Sequence, residues 1–390
     1  MVTTPPMPAV PQSNLRSGVA SSSISESRSG VESASAGHSD LSPLLLSLHD
    51  GNPKQNSPNA YVTLIAGIDT RFKYRGFLYN AIIMLRALRQ KGSTADFVAM
   101  LGFGETTQEA IDKFRPDIDL LKKHGIIVHV LPRLIHDSHA LNFAEMALLK
   151  ITPYSMTQYS RVQFFDGDVM PTKNMDCFFK LKANTFTLGA VSPLNSGWFL
   201  ALPSQEAFDY MREKAVWRLS RDWDKVNGWK EPMPKGMTYR GGRPVKEWEF
   251  NGADMDQGLF THYFVINFGN AVLIDTVTSK AKQYEKGVLY QSPRELSIQQ
   301  ATSTCSQGTN PVQYYAHFTG RSKPWVVDLK EKPVRKGSNL DAWLHHLDAL
   351  ALPVNSKNLG ELNLGSPLGY FNARFPKGGY TSKNGVTKKM

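Results

Sequence analysis

The strongest constraint on the fold is a regular alternation of apolar strands and amphipathic helices between residues 60 and 165. In the helical segments apolar side chains recur every three to four residues, and the strand segments are short apolar runs. The predicted strands span residues 60–66, 96–101, 126–131 and 161–165, and the predicted helices span residues 78–90, 108–124 and 143–151. This order predicts an α/β fold with a mostly parallel central sheet. Such sheets bind ligands beyond the carboxyl ends of their strands.

The composition of the chain changes on both sides of this region. Residues 1–58 are rich in Ser, Pro, Gly and Ala, so they bury too little apolar surface to offset the entropy of ordering, and we predict a disordered tail. Residues 59–330 form the predicted globular domain, with a tryptophan-rich excursion at residues 212–250. Residues 331–390 lose clear periodicity, apart from one predicted helix at 341–351 and a loose basic tail.

The chain carries a formal net charge of +11, from 45 Lys and Arg against 34 Asp and Glu. The basic residues are scattered, so we predict no nucleic-acid partner and favour an anionic small substrate. Two cysteines allow one disulfide at most. We expect no transmembrane segment, because no apolar run is long enough to span a bilayer. The expected location is the cytoplasm, or the Golgi apparatus if the N-terminus is truncated.

The acidic triplet Asp166-Gly167-Asp168 follows the fourth predicted strand. Two carboxylates at positions i and i+2 of a straight strand point to opposite faces, but a turn at Gly167 brings both toward one cation. Mn²⁺ and Mg²⁺ prefer oxygen ligands and leave positions open for phosphate oxygens. The triplet is therefore a candidate metal and diphosphate site. Alone, such a triplet is common, and a solvated turn is the more frequent interpretation.

A second polar cluster begins at His317, after an apolar segment. The imidazole nitrogen suits Mn²⁺ better than Mg²⁺. Gly320 allows the backbone to approach a phosphate, and Lys323 offers it a positive charge. The alternative is the end of a strand, at which His317 is merely hydrogen-bonded.

Two further clusters are candidates for binding sugar hydroxyls. Asn195-Ser196-Gly197 either contacts such hydroxyls or forms a simple turn. Asp256 and Gln257 lie in Asp254-Met255-Asp256-Gln257-Gly258, which either binds the sugar or caps a helix. These two interpretations of the second cluster are compatible with each other.

In this order the clusters resemble glycosyltransferase family 8, the family of glycogenin and galactinol synthase. The resemblance covers roughly residues 60–330, almost all of the predicted globular part. The matching motifs are Tyr61-Val62-Thr63-Leu64, Thr157-Gln158-Tyr159-Ser160-Arg161 leading into Phe165-Asp166-Gly167-Asp168, Asn195-Ser196-Gly197 with Pro203-Ser204, Asp256-Gln257-Gly258, and His317-Phe318-x-Gly320-x-x-Lys323-Pro324-Trp325.

The resemblance implies a GT-A fold, with a single Rossmann-like nucleotide-binding domain, and a UDP-sugar donor whose sugar is transferred with retention of configuration. It implies that Asp166, Asp168 and His317 bind Mn²⁺, with Mg²⁺ as the alternative, and that Gly320 and Lys323 contact the diphosphate. It also implies catalytic roles for Lys150, Asp256 and Gln257. The donor contacts that it implies are Thr63, Leu64, Lys150, Asp166, Gly167, Asn195, Ser196, Asp256, Gln257, Gly320 and Lys323.

Two segments depart from the pattern of that family. The first strand continues as Ala66-Gly67-Ile68-Asp69, where the family usually has Thr-Asn and then Tyr, so Tyr74 or Phe72 is the candidate to stack on uracil. The excursion at residues 212–250 carries Trp217, Trp223, Trp229 and Trp248, which either stack on an acceptor sugar or pack an insertion.

The sequence thus predicts a retaining hexosyltransferase that uses a UDP-sugar and Mn²⁺. The alternative is a catalytically silent UDP-sugar-binding or scaffold protein of the same fold. The acceptor, whether a carbohydrate, a polyol or a protein, is left open, and so is a homodimer.

Overall fold

The structure is a computed structural model. The residues that it describes are 57–69, 74–135, 142–239, 243–269, 271–274, 281–285, 288–291, 314–319, 323–326, 334–350 and 352. They all belong to one compact unit, residues 41–390. The predicted disordered tail lies outside the described residues, except for its last two positions.

Among the described residues, nine strands form the central sheet in the spatial order β10-β9-β8-β6-β7-β4-β1-β2-β3. Numbered along the chain, they are β1 (Asn59–Ala66), β2 (Asp96–Gly102), β3 (Ile127–Leu131), β4 (Arg161–Phe165), β6 (Thr185–Leu188), β7 (Leu194–Ala201), β8 (Val272–Ile274), β9 (Ala281–Glu285) and β10 (Val288–Gln291). A smaller sheet pairs β5 (Val169–Pro171) with β11 (Tyr315–His317).

The central sheet is mostly parallel, as predicted. Strands β3, β2, β1 and β4 pair in parallel, and so do β6 and β8. Only β7 and β9 run against the other described strands of this sheet. The α/β prediction is therefore confirmed, and the reversed strand β7 is a feature that the alternation of the first 165 residues did not predict.

The α-helices pack on both faces of this sheet. They are α1 (Tyr74–Gln90), α2 (Gln108–Lys113), α3 (Arg115–Lys123), α4 (Phe143–Leu148), α5 (Gln205–Leu219), α6 (Asp256–Phe260) and α7 (Asn339–Asp348). Shorter helical turns of other types are the 3-10 helices Leu149–Ser155, Asp176–Lys180 and Pro324–Val326 and the π-helix Thr261–Asn267.

Alternate side chains of β1 enter two different cores. Tyr61 and Ile65 pack with α1 and α7, whereas Val62 and Leu64 pack with the face that carries α4 and α5. Successive side chains of a strand point to opposite faces, so a strand buried on both sides is apolar at nearly every position. This double burial explains why β1 is a continuous apolar run in the sequence.

Five predicted elements had wrong bounds. The first helix begins at Tyr74 rather than at Leu78, and the helix predicted at 341–351 spans Asn339–Asp348. The helix predicted at 108–124 is two helices that meet at Phe114, because Pro116 begins the second one and cannot continue the first. The α-helix predicted at 143–151 ends at Leu148 and tightens into a 3-10 helix. The excursion predicted from residue 212 begins later, since α5 continues to Leu219.

The tryptophans of the excursion are mainly packing residues. Trp229 and Trp248 are fully buried, and their indole nitrogens donate to the backbone carbonyls of Ala253 and Glu231. Trp223, which is partly buried, donates to Trp248 O. Trp229 thereby supports the segment just before α6. Within the described residues, no helix is both long and apolar enough to cross a lipid bilayer.

Candidate functional site

The acidic triplet forms a tight turn at the carboxyl end of β4. Asp166 N donates to Gly197 O on the neighbouring strand β7, and Val169 N donates back to Asp166 O, with N–O distances of 2.9 and 3.0 Å. Gly167 has no room for a side chain, because a Cβ atom would lie 2.8 Å from Phe77 Cδ1. This turn brings both carboxylates to the same side, as the sequence predicted.

The small sheet brings His317 to this turn. In the pairing of β5 with β11, Val169 lies opposite His317, and Phe318 N donates to Asp168 O at 2.9 Å. His317 Nε2 therefore lies 3.1 Å from Asp168 Oδ1 and 3.7 Å from Asp166 Oδ2. On the other side of the imidazole, a Cβ atom at Gly197 would lie 2.5 Å from His317 Cε1, so only glycine fits there.

Two lysines, the partly buried Lys150 and the buried Lys323, neutralise the carboxylates. Lys150, in the 3-10 helix after α4, places Nζ 2.6 Å from Asp166 Oδ1 and 2.9 Å from Asp256 Oδ2. Lys323 Nζ bonds to Asp168 Oδ2 and donates to Phe318 O at 3.2 Å. Lys323 thus lies beside Asp168, and Lys150 joins the turn to α6.

The polar side chains predicted to bind sugar meet on the far side of Lys150. Ser196 Oγ donates to Asp256 Oδ2, and Lys150 Nζ lies 3.4 Å from the same hydroxyl. Gln257 accepts from Ser192 Oγ at 2.8 Å and donates to Asn251 O at 3.1 Å. The helix α6 begins at Asp256 itself, with Met255 in the N-cap position, so Asp256 does not act as its cap.

Asn195 and Ser196 lie in β7 rather than in a simple turn. The pairing of β7 with β6 shifts register beside them, and Asn195 Oδ1 accepts the amide of Gly197 at 2.9 Å. Asp254, the other candidate cap of α6, pairs instead with Arg218 at 3.0 Å. Because Asn195 and Ser196 belong to a strand, the alternative of a simple turn is wrong for that cluster. Because Asp254 pairs with Arg218, its side chain does not cap α6.

The charges of the site are strongly coupled. Burial raises the pKa of Asp166, and the neighbouring charge of Asp168 raises it further, against the opposing effect of Lys150. Burial alone would also raise the pKa of Asp168, but the hydrogen bond from His317 and the charge of Lys323 hold it well below its usual range. Asp168 is therefore ionised at neutral pH and is the stronger candidate for a cation ligand.

Burial and the neighbouring carboxylates have opposing effects on the pKa values of Lys150 and His317. Burial would lower the pKa of Lys150, yet Asp166 and Asp256 raise that pKa above its ordinary value. It would likewise lower the pKa of His317, which the hydrogen bond to Asp168 raises. A divalent cation at the turn would have to displace the proton from His317 before the imidazole could act as a ligand.

A cleft of about 340 Å³ contains these groups, a volume suited to a small-molecule ligand. The predicted residues that line it are Leu64, Lys150, Asp166, Gly167, Asp168, Asn195, Ser196, Asp256, Gln257, His317 and Lys323. Lining residues that the sequence did not predict include Phe77, Asn251, Gly252 and Met255. Asn251 and Gly252 lie two to three residues before the predicted cluster at 254–258, which was the signal available for them.

Two predicted nucleotide contacts do not lie on the cleft. Thr63 is fully buried, and its hydroxyl donates to Phe165 O across the sheet at 3.0 Å. Tyr74 is also buried, its hydroxyl bonds to Asp117, and its ring packs edge-on against Phe114. Both side chains are used by the packing of the core. Gly320 and Phe72 lie outside the described residues.

The triad of Asp166, Asp168 and His317 fits a divalent cation. One ligand atom from each residue lies within 4.8 Å of the other two, and the three come from two separate segments of the chain. Two carboxylate oxygens with one imidazole nitrogen suit Mn²⁺ better than Mg²⁺. The lysine ammonium groups beside these carboxylates supply positive charge on which a diphosphate could also bind.

Two curated proteins of Arabidopsis thaliana are similar to this chain in sequence, and no family model matches it. Inositol phosphorylceramide glucuronosyltransferase 1 is 27% identical over 176 residues, covering 45% of this chain and 30% of the relative. Putative UDP-glucuronate:xylan alpha-glucuronosyltransferase 3 is 20% identical over 264 residues, covering 64% and 33%. The chain thus spans about a third of the length of these relatives, and its sequence is similar to glycosyltransferases.

Solved structures that align with this chain are also glycosyltransferases by name. Galactosyltransferase LgtC in complex with donor and acceptor sugar analogs has a TM-score of 0.41 at 10% identity, covering 77% of this chain and 99% of that one. Glycosyltransferase GlyE of Streptococcus pneumoniae TIGR4 has a TM-score of 0.38 at 12% identity, covering 78% and 63%. At these TM-scores the likeness supports no inference about this chain.

Proposed function

We propose that this chain is a retaining glycosyltransferase of the family 8 type, with a GT-A fold, which transfers a hexose from a UDP-sugar to a hydroxyl acceptor with Mn²⁺. The observation that carries the proposal is the convergence of Asp166, Asp168 and His317 at one end of a cleft. The two lysines beside the triad and the polar side chains beyond Lys150 support it, as does the sequence similarity to glycosyltransferases.

The residues divide into a metal side and a sugar side. Asp166, Asp168 and His317 would hold Mn²⁺, which supplies Lewis-acid neutralisation of the leaving diphosphate. Lys323 is a buried cation on that same side, suited to a phosphate oxygen. We therefore propose that the bond that breaks, between the anomeric carbon and the phosphate oxygen, lies near Lys150, which contacts residues of both sides.

On the sugar side, Asp256 and Gln257 offer carboxylate and amide groups to the donor hydroxyls, together with Asn195 and Ser196. Lys150 fixes the distance between the two sides, because one ammonium group contacts both Asp166 and Asp256. We assign no protein base for the acceptor hydroxyl.

The proposal also concerns which sugar the UDP-sugar donor carries. UDP-glucose and UDP-galactose are the hexose donors that we propose. The names of both curated relatives refer to glucuronosyl transfer, so UDP-glucuronate is the second candidate donor. The three sugars differ in one hydroxyl orientation or one carboxylate, which a few polar contacts on the sugar side are enough to discriminate.

A thermal-shift screen tests donor binding. The protein is melted with each of these three UDP-sugars, once with Mn²⁺ and once with EDTA. A donor at about 100 times its Kd stabilises the native state by about 2.7 kcal/mol, so the matching sugar should raise Tm by several degrees in Mn²⁺. We expect EDTA to abolish that shift.

Matched variants complete the screen. Asp168→Asn should remove the shift, whereas Asp209→Asn, an exposed carboxylate on α5, should retain it. The absence of a shift with all three sugars, or an equal shift in EDTA, would contradict the proposal. A shift without turnover would support the alternative of a silent UDP-sugar-binding protein.

A further inference from the structure

One buried amide of the first helix supports the backbone of the acidic turn. Asn80 on α1 has no exposed surface, and its Nδ2 donates to Gly167 O and to Val169 O, each at 2.8 Å. An amide nitrogen carries two hydrogens, so both are used on carbonyls that lie on either side of Asp168. The side chain of Asn80 therefore fixes the path of the chain between the metal-side carboxylate and β5.

An indole from the C-terminal helix orients that amide. Trp343 on α7 is fully buried, and its Nε1 donates to Asn80 Oδ1 at 2.8 Å. An indole nitrogen can only donate. A flipped Asn80 would turn its NH₂ group toward the indole N–H and its oxygen toward the two carbonyls of the turn. Trp343 therefore locks the orientation in which Asn80 can hold the turn.

A column of aromatic rings connects the same helix to the cleft by a second path. The rings of Trp343 and Trp325 have centroids 6.1 Å apart, and those of Trp325 and Phe77 are 5.0 Å apart. Phe77 lies on the cleft, in contact with the space where a Gly167 side chain would be, and Lys323 Nζ lies 5.6 Å from its ring centroid. The hydrogen bonds through Asn80 and the column of aromatic rings therefore both connect α7 to the acidic turn, and the rings end beside Lys323.

We infer that α7 supports the candidate catalytic centre, with Trp343 and Asn80 as positioning residues for the turn that carries Asp166 and Asp168. Neither residue is among those that line the cleft, so both act through the turn. The inference rests on the proposed function in taking this turn as the metal site. Residues 331–390 were predicted to lie outside the catalytic domain. By this inference, the helix α7 of that segment supports the candidate metal site.

Mn²⁺ binding without turnover provides the main test. Free Mn²⁺ is measured by electron paramagnetic resonance during titration of the full-length protein and two variants. Groups that orient metal ligands typically contribute 10- to 100-fold to metal affinity, so Trp343→Phe, which removes only the N–H donor and part of the ring, should weaken Mn²⁺ binding about 10-fold. Unchanged affinity in Trp343→Phe would overturn the inference.

Trp248→Phe is the matched control. Trp248 is also fully buried, and its indole also donates to a carbonyl at 2.8 Å, that of Glu231 in the excursion. Both variants lose one buried donor and should lose similar thermal stability. Trp248→Phe should bind Mn²⁺ within about twofold of the unsubstituted chain. Equal weakening in both variants would mean that Trp343 acts only through global stability.

A double-mutant cycle tests whether Trp343 acts on the turn through Asn80, an arrangement that we call the relay. Asn80→Ala should weaken Mn²⁺ binding, and adding Trp343→Phe should then cost little more, because the indole acts through the amide. Asn80→Ser replaces Asn80→Ala if the latter does not fold. Fully additive losses would show that the two side chains act separately and would overturn the relay.

Hydrogen exchange separates this inference from the proposed function. In the metal-free protein, the peptide that covers residues 166–171 should exchange about 10-fold faster in Trp343→Phe than in the unsubstituted chain, and Trp248→Phe should leave it unchanged. If the unsubstituted chain binds no Mn²⁺, the proposed function fails, while the exchange rate still decides whether the relay holds the turn. Unaltered exchange in Trp343→Phe would overturn it.

Discussion

Lys150 is the residue that joins the two sides of the cleft. Its ammonium lies within 3 Å of one oxygen each of Asp166 and Asp256 and is largely buried. A buried ion pair contributes little compared with an apolar pair of the same shape, but removal of one partner leaves a buried charge without compensation. Here a single removal would leave two carboxylates facing each other, with Asp168 close by.

Stability measurements on Lys150→Met test this account at the scale of one residue. We expect the free energy of unfolding at pH 7 to fall by about 3–5 kcal/mol, because the buried carboxylates lose their compensating charge. Urea unfolding of the variant and the unsubstituted chain gives this difference. Lys122→Met, at an exposed position of α3, should change the free energy of unfolding by less than about 0.5 kcal/mol. Equal losses in the two variants would contradict the bridging role.

At the scale of elements, short local signals located most of the fold. Strands β1 to β4 begin and end within about one residue of their predicted bounds, because each is a buried apolar run between turns. The break between two helices at Phe114 was predictable from Pro116. The helical periodicity of the apolar residues continues across this position, so the segment was predicted as one helix. The reversed direction of β7 was not predictable, since it depends on pairing with β4 rather than on its own sequence.

The C-terminal helix α7 also carries a buried histidine. His346 is 9% exposed, and its Nδ1 makes no hydrogen bond. Burial lowers the pKa of His346 to about 4, and the charges of Arg86, His345 and Lys91 contribute to the shift. Between pH about 6.5 and 4 the unfolded chain therefore binds a proton that the folded chain does not.

This difference in proton binding at His346 predicts that the free energy of unfolding falls in acid. Because the unfolded state holds more protons in that window, the free energy of unfolding falls as the pH falls from about 6.5 toward 4. His346→Leu should remove about 2 kcal/mol of this fall, after allowance for solvent near the ring. Denaturant unfolding at pH 7.5, 6 and 4.5 measures it. His345→Leu removes an exposed neighbour whose charge is only a minor cause of the shift, so it should keep most of the pH dependence of the unsubstituted chain. The full pH dependence of the unsubstituted chain in His346→Leu would contradict the assignment.

At the scale of the whole molecule, the site combines segments that are far apart in the sequence. The residues that we propose as metal ligands were predictable, because Asp166, Asp168 and His317 each belong to a recognisable local motif. Contacts between motifs were not: Asn80 and Trp343 are 263 positions apart, and only the packing of α7 on α1 brings them together.

Two errors in the predicted site have the same physical origin. Thr63 and Tyr74 were assigned to the nucleotide by comparison with the family that the sequence resembles, but the sheet and α3 use their hydroxyl groups. A polar side chain beside a predicted site is available to a ligand only if the core does not satisfy it first. Sequence alone gives the position of such a group along the chain and not its partner.

Release of UDP from a UDP-sugar is the measurement that tests the central claim most directly. The full-length protein is incubated with UDP-glucose, UDP-galactose or UDP-glucuronate, and UDP is measured with Mn²⁺ and with EDTA. The account predicts release with at least one donor in Mn²⁺, little release in EDTA, and a fall of at least about 100-fold in Asp168→Ala, with Asp209→Ala unaffected. Equal UDP release by the unsubstituted chain and Asp168→Ala, or no release with any of the three donors, would contradict it.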